Sequence, residues 1–434
     1  MKKVLVLLVC VFMCCNMIFA QGGSEAKSTP ASSTQPQTIR FISYAGYHNA
    51  MVAAIKGFED SHPGVTVELE DYPFAQLLDA IDIKMGSKDS NYDVILTDAP
   101  MITGYAYHGF IIPLDKYFSK EDLAKFAPAL VDSSMYNGKF YSAVLKNSSN
   151  VLFYNKKLLD AAGVPYPSAD PAKRMTWEQI VDICQKVQKV SGDPSVYGLT
   201  FEQISRPYQI LVLPNSLGAE GIGPDGITVD RYINSDAFVK SMQWYSDIHN
   251  KYNIAPKGVS AAETAGLFTA GKVCFIATNI FAYKNFSATP DLSYGFAPLP
   301  YFEGGKAITP TDSWHLSISS FSKKQDLAAE FIKYMTLGEG NSIFLDVQGD
   351  FAATKSGLEQ YQKDEAFATE PKSVFRLAAY EALNTAKPRP LSLGYREWEA
   401  IITSTMEDIR NGADVKTAMD KAVKDINAQM QNYK

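Results

Sequence analysis

Three short stretches set an aromatic ring beside a polar side chain at the end of a strand-like run: Ser43-Tyr44, Asn279-Ile280-Phe281 and Ser313-Trp314-His315. An aromatic face covers flat patches of C–H bonds, while carboxylates, amides and guanidinium forks bind the hydroxyls around them. That combination suits a polyhydroxylated solute such as a sugar. A single aromatic at a strand end is more often core. Only the joint placement of several argues for a site.

Signatures of catalysis are missing. The chain has neither a Gly-x-Ser-x-Gly elbow nor a His-Glu-x-x-His pair. The five histidines, His48, His62, His108, His249 and His315, lack ligand spacing, so no metal is expected. Gly266-Leu-Phe-Thr-Ala-Gly271-Lys272-Val273 is close to a phosphate loop, but Val273 supplies no hydroxyl for Mg²⁺. Its context is also reversed, since it closes a helix and opens a strand. Asp225-Gly226 reads as a turn. A secreted glycoside hydrolase would need a carboxylate pair such as Glu202 and Glu263 facing one cleft, about 5–10 Å apart. On this reading the protein is not an enzyme and carries no cofactor.

Charge narrows the partners. The 434 residues carry a net charge of −6. Met1–Ala20 has a basic start at Lys2 and Lys3, then a twelve-residue apolar run, Val4–Cys15. Ile18 and Ala20 fit the −3 and −1 positions of a cleavage site, so residues 1–20 are expected to be a secretory signal peptide. Twelve apolar residues are too few for roughly 30 Å of hydrocarbon. The signal holds both of those lysines and no acid, so the mature chain falls to −8. No basic patch is present, and nucleic acid is not an expected partner. Three of the five cysteines lie in the signal, leaving Cys184 and Cys274 as buried free thiols rather than a disulfide framework. Residues 21–37, rich in Ser, Thr, Pro and Gln, are expected to form a disordered leader. The leader looks like a tether. A soluble monomer is expected, periplasmic or extracellular, with possible attachment to the outer face of a membrane.

The elements that must position these residues follow an alternating rhythm. Strands are predicted at Ile39–Ser43, Val65–Glu70 and Asp93–Thr97, with helices at Asn49–Asp60 and Phe74–Met85 between them. A β-α-β-α-β order argues for a mostly parallel sheet with helices on both faces and ligands beyond the strands' carboxyl ends. The pattern restarts with strands at Asn150–Asn155, Val196–Phe201, Lys272–Thr278 and Trp314–Ile318. Helices are predicted at Thr176–Val190, opened by a Thr176/Gln179 capping box, and at Ser235–His249. Three more follow at Asp326–Leu337, ended by Gly338 as C′ residue, Glu397–Arg410 and Asp414–Met430.

Five blocks in order then resemble the extracellular solute-binding proteins of ABC importers, the family that includes maltose- and trehalose-binding proteins. They are Asp93–Pro100 with Tyr105-Ala106 and Gly109–Asp115; Tyr136–Tyr141 with Val151–Lys156; and Phe268–Val273 with Ala277–Phe281. The last two are Tyr294–Pro300 with Asp312–Ile318, and Lys387–Pro390 with Tyr395. The resemblance implies an α/β, type II periplasmic-binding-protein-like fold of two hinge-linked lobes with a cleft between them. By analogy one lobe holds 38–146 plus 301–350 and the other 147–300 plus 351–434. It also implies a sugar ligand and a membrane permease as partners. Asp98 matches a sugar-binding carboxylate, and Phe281 a position where members often stack a Trp. Ser313 and Trp314 match a cleft-lining segment, and Arg389 and Tyr395 one that reaches the ligand. Tyr44 and His48 follow the first strand, and Asn147 and Asn150 lie at the hinge crossing. A receptor-linked sensor, or a polyol or glycerol-phosphate binder, are the related readings. The phosphate would call for Arg389 with Arg206 or Arg376.

Overall fold

The structure is a computed structural model that describes residues 36–202 and 206–433. The signal peptide and nearly all of the leader lie outside the described residues. Gln37, placed in the leader from sequence, instead opens the first strand, because its N–H donates to the Gly64 carbonyl at 2.9 Å and it pairs with Val65.

The strands are β1 (Gln37–Tyr44), β2 (Val65–Tyr72), β3 (Val94–Asp98), β4 (Met135–Tyr136), β5 (Lys139–Phe140), β6 (Ala143–Asn155), β7 (Tyr197–Phe201), β8 (Val273–Asn279), β9 (Tyr294–Ala297), β10 (Thr309–Ile318) and β11 (Ala386–Lys387). Those of the main sheet run in the order β2-β1-β3-β10-β6-β8-β7, with β11 beside β10 and β9 beside β6. The first three are parallel, as the alternation of strands and helices requires. The centre is not. β10 runs antiparallel to both β3 and β6, and β6 antiparallel to β8 and β9, so the sheet is mixed rather than mostly parallel. The alternation reports only local crossovers, whereas β10 re-enters the sheet after a long excursion.

β6 and β10 are also longer than their apolar halves. β6 begins at Ala143 and β10 at Thr309, because Lys146–Ser149 and Thr309–Ser313 are buried polar segments that pair with each other. Alternation of hydrophobicity cannot reveal such strands.

Helix starts follow local chemistry. Helix Trp177–Ser191 has the expected capping box: Gln179 N–H donates to Thr176 Oγ1 at 3.3 Å, and Thr176 N–H to Gln179 Oε1 at 3.0 Å. Helix Asp236–Asn250 is capped by Ser235, and Val415–Met430 by Asp414. Gly338 is not a left-handed C′ residue. Its φ of −104° and ψ of −167° are extended, and it starts helix Glu339–Gln348, which ends at left-handed Gly349 (φ 62°). Asp225-Gly226 forms the expected turn: Asp225 Oδ1 accepts from the N–H groups of Ile227 and Thr228 at 3.1 and 2.9 Å.

Cys184 and Cys274 are buried and free. A Cβ added at Gly198 on β7 would stand 2.2 Å from the Cys184 Cβ. Gly198→Ala should therefore force strand and helix apart and cost about 1–3 kcal/mol. Thermal unfolding should show a lowered Tm with ligand-free secondary structure retained.

His249 and His315 are buried, and burial pushes both down to about 3. The unfolded chain binds their protons below about pH 6.5, while the folded chain resists them. Their contribution to stability is thus complete above pH 6.5 and is lost progressively towards pH 3. Urea midpoints measured at pH 7, 5 and 4 should fall in that order, and replacing both histidines with Gln should flatten the slope.

Candidate functional site

Pairing across β3, β10 and β6 fixes the centre of the site. Asp98, the last residue of β3, lies opposite Trp314 on β10, and Trp314 lies opposite Lys146 on β6. Side chains alternate along a strand, so Asp312 and Trp314 share one face and Ser313 takes the other. The Ser313 hydroxyl lies 2.5 Å from His315 Nε2 on that other face. The first face borders a cavity of about 140 Å³ lined by Asp98, Asp312, Trp314, Lys146, Ser148, Asn279, Arg206, Tyr208, Phe74 and the Ser313 segment.

The dominant charge is Arg389. One of its terminal nitrogens, Nη2, donates to Asp98 Oδ1 at 2.5 Å and to Asp312 Oδ2 at 2.6 Å. The other, Nη1, lies 3.3 Å from the Tyr395 hydroxyl. Tyr395 in turn donates to Glu399 Oε1 at 3.0 Å, and Arg206 reaches the same carboxylate at 2.9 Å. The Arg389 guanidinium lies 5.5 Å from both the Tyr208 and the Tyr395 ring centres. Burial lifts the Asp98 carboxyl to about 7, against the pull of Arg389. A second buried pair stands alongside: Lys146 Nζ is 2.9 Å from Asp350 Oδ2 and 4.6 Å from the Phe281 ring centre. Burial opposes the Lys146 charge, but Asp350 and Tyr47 outweigh it and hold the ammonium above its usual range.

The aromatic wall is assembled on Trp314. Tyr44 lies nearly parallel to it, 6.3 Å between centres at 10°. Tyr47 and Phe74 meet it edge-on at 6.3 and 6.2 Å.

Asp98, Trp314, Tyr44, Arg389 and Tyr395, singled out from the sequence, thus converge on one cluster, and Phe281 joins it through Lys146. The others sit apart from the cavity or turn their polar groups away. Asn147 Oδ1 accepts from Thr311 Oγ1 at 2.8 Å, and Asn150 Nδ2 donates to the Tyr208 hydroxyl and the Pro310 carbonyl, both at 2.9 Å. His48 is exposed on helix His48–Ser61, its Nδ1 2.5 Å from Asp71 Oδ2. Asn279, paired with Phe281 in the sequence, lines the cavity, whereas Phe74, Lys146, Ser148, Tyr208, Asp312 and Glu399 were not singled out as site residues. Asp312 was available: two residues before Trp314 on a strand is the same face. Arg206 joins Arg389 at Glu399, whereas Arg376 binds the Tyr361 and Asp364 carbonyls elsewhere. Glu202 and Glu263 are tied to different partners. Glu263 is exposed and accepts from the Ser260 N–H and hydroxyl, both at 2.7 Å, while Glu202 accepts from Gln209 at 3.0 Å. Among the described residues no group of three or more His, Cys, Asp or Glu is placed to hold a metal, and no helix is long and apolar enough to cross a membrane.

Removing Arg389 would leave two carboxylates facing each other without a cation. Arg389→Met should cost about 3–5 kcal/mol. Adding Asp98→Asn should recover part of that loss, as read from urea unfolding of the single and double variants.

The family described as bacterial extracellular solute-binding protein matches residues 44–341. The galactooligosaccharide-binding protein of Bacillus subtilis (strain 168) is 25% identical over 438 residues, covering 97% of each chain. The arabinooligosaccharide-binding protein of the same organism is 25% identical over 362 residues, 80% of each. A solved ABC substrate-binding protein of Listeria monocytogenes, in complex with cycloalternan, superposes with a TM-score of 0.76 at 21% identity, over 92% of this chain and 100% of that one. The α/β fold is of the type II periplasmic-binding-protein kind, with a mixed sheet. The matched span exceeds half of the sequence, and the chain belongs to the bacterial extracellular solute-binding protein family.

Proposed function

We propose that this protein captures a neutral sugar, a mono- or oligosaccharide, between two closing lobes, releases it unchanged and delivers it to the membrane permease of an ABC importer. The lobes are 38–146 plus 301–350 and 147–300 plus 351–434, and the leader, 21–37 less the strand residue Gln37, tethers the protein outside the cell.

One observation carries the reading. The cavity draws on both lobes: Asp98 comes from the first stretch, Arg206 and Tyr208 from the second, and Asp312 and Trp314 from the third, while Arg389 from the last binds both aspartates of that lining. A solute held there touches both lobes only when they are closed, so binding favours closure. The site also combines a four-ring aromatic cluster with oriented carboxylates, the chemistry that recognises C–H faces and hydroxyls together. The names of the two Bacillus relatives point the same way.

Charge favours a neutral ligand over a glycerol phosphate. Around Arg389 and Arg206 stand three carboxylates, Asp98, Asp312 and Glu399, and Lys146 is matched by Asp350. A phosphate would have to displace carboxylates from both guanidinium groups.

Titration calorimetry against a panel of mono- and oligosaccharides should find a ligand with micromolar Kd, about −8 kcal/mol. Trp314→Ala should weaken it about 10- to 100-fold, and no reducing sugar should be released on long incubation. A panel that neither binds nor raises the Tm would overturn the sugar assignment.

A further inference from the structure

Two arginines of one C-terminal segment pair with carboxylates across the proposed division of lobes. Arg389 binds Asp98 and Asp312, and Arg396 binds Asp79 at 2.6 Å and Asp82 at 2.5 Å. All four aspartates fall in the first lobe and both guanidinium groups in the second. Their settings differ. The Arg389 side chain is 2% exposed and belongs to the cavity cluster, whereas that of Arg396 is 45% exposed and lies outside the lining of the cavity at Asp98.

The helices joined by Arg396 are ones that also carry groups of the site. Asp79 and Asp82 stand three apart on helix Phe74–Gly86 and so share a face. Phe74, at the start of that helix, lines the cavity and meets Trp314 edge-on. Arg396 lies in the first turn of helix Tyr395–Arg410, next to Tyr395, whose hydroxyl lies against Arg389. The contact spans an open gap rather than a packed core. A space of about 600 Å³ is lined by Asp82, Gly104 and His108 from one side and by Arg396, Glu397 and Tyr433 from the other. At one end of it the chains touch: a Cβ added at Gly104 would stand 2.8 Å from the Leu393 carbonyl oxygen. Two aspartates three apart on a helix repel each other, and a guanidinium with one nitrogen on each relieves that repulsion. Parting the two helices would restore it.

We propose that Arg396 is a positioning residue for capture: with Asp79 and Asp82 it latches the closed form, sets affinity without touching the solute, and makes retention of an uncharged solute depend on ionic strength. The inference rests on the two-lobe sugar reading above and adds to it the pair that governs release. The latch forms only when the helices have come together, so it slows dissociation and leaves association nearly unchanged. Half-exposed ion pairs are screened by salt, and buried ones such as Arg389 with Asp98 much less. The salt dependence of affinity therefore reports the latch rather than the cavity cluster.

The test uses the full chain with maltotriose, galactotriose and arabinotriose as probes, by titration calorimetry and stopped-flow fluorescence, and follows the one that wild type binds tightest. Arg396→Gln should weaken it about three- to tenfold, the range expected of two partly exposed ion pairs, with the loss in the dissociation rate. Arg396→Lys should keep part of the affinity. The double variant Asp79→Asn, Asp82→Asn should lose as much as Arg396→Gln, and the triple variant no more than either. Between about 20 mM and about 500 mM NaCl the wild-type Kd should rise about threefold or more, and that of the triple variant should stay flat. Arg396 and Asp79 are exposed and Asp82 half-buried, so folding is preserved, and circular dichroism of each variant checks it. Wild-type affinity in Arg396→Gln, losses from the two sides that add, or a salt dependence that survives in the triple variant overturns the latch while sparing the sugar reading. Failure of every probe to bind wild type overturns both.

Discussion

A buried guanidinium shared by two buried or half-buried carboxylates organises this molecule. Removing three such charges from water costs several kcal/mol each, and the cost is offset only if geometry is close to ideal. Asp98 and Asp312 come from adjacent antiparallel strands, so their spacing is set by the sheet. Arg389 comes from a segment remote in sequence and must be delivered to within hydrogen-bond reach of both. Pro388 and Pro390 fix φ on either side of it, and β11 pins the approach by pairing Ala386 with Thr309 and Lys387 with Pro310. Tyr208 and Tyr395 close over the guanidinium. The position of the C-terminal helices therefore depends on the same ion cluster that lines the cavity.

A buried polar seam supports that cluster. Along β6 and β10 hydrogen bonds cross the seam: Thr311 donates to Asn147, Ser148 to the Asp312 carbonyl, and Asn150 to the Pro310 carbonyl. Deeper still, buried Glu381 accepts from Arg174 and from Thr309, both at 2.6 Å. An apolar seam of the same length would tolerate a slip by two residues. Here such a slip would strand several hydrogen-bonding groups at a cost of about 1–3 kcal/mol each. The polar seam thus fixes the register that places Asp312 and Trp314 on the cavity face.

The same physics explains which parts were legible in the sequence. β1, β2, β3 and their helices were readable because their apolar periodicity is local, and the Thr176/Gln179 capping box marked a helix start. The mixed centre of the sheet was not, because antiparallel pairing of β10 between β3 and β6 is a long-range property. The polar halves of those strands carry no hydrophobic signal, which hid Lys146 and Ser148. Asp98, Arg389 and Tyr395 were found through family resemblance. Nothing in their spacing brings Asp98 and Arg389, 291 positions apart, together. Asn147 and Asn150 were picked as polar residues near a crossing, and the structure uses both amides inside the seam. Asp312 was missed although the pleat rule, applied to Trp314, identifies it.

Rigidity of the cluster bears on how tightly a small solute can be held. Trp314 is supported from one face by Tyr44 and at its edges by Tyr47 and Phe74, so a ring stacking on it orders little that is not already ordered. The carboxylate oxygens of Asp98 and Asp312 are likewise aimed by Arg389 before any hydroxyl arrives. Each immobilised side chain would otherwise subtract about 0.5–1.5 kcal/mol from affinity. In a space this small the apolar contact area is limited, and so preorganisation must supply much of the binding free energy. The ion cluster that constrains the fold is, on this argument, also the reason a weakly hydrophobic solute can be retained.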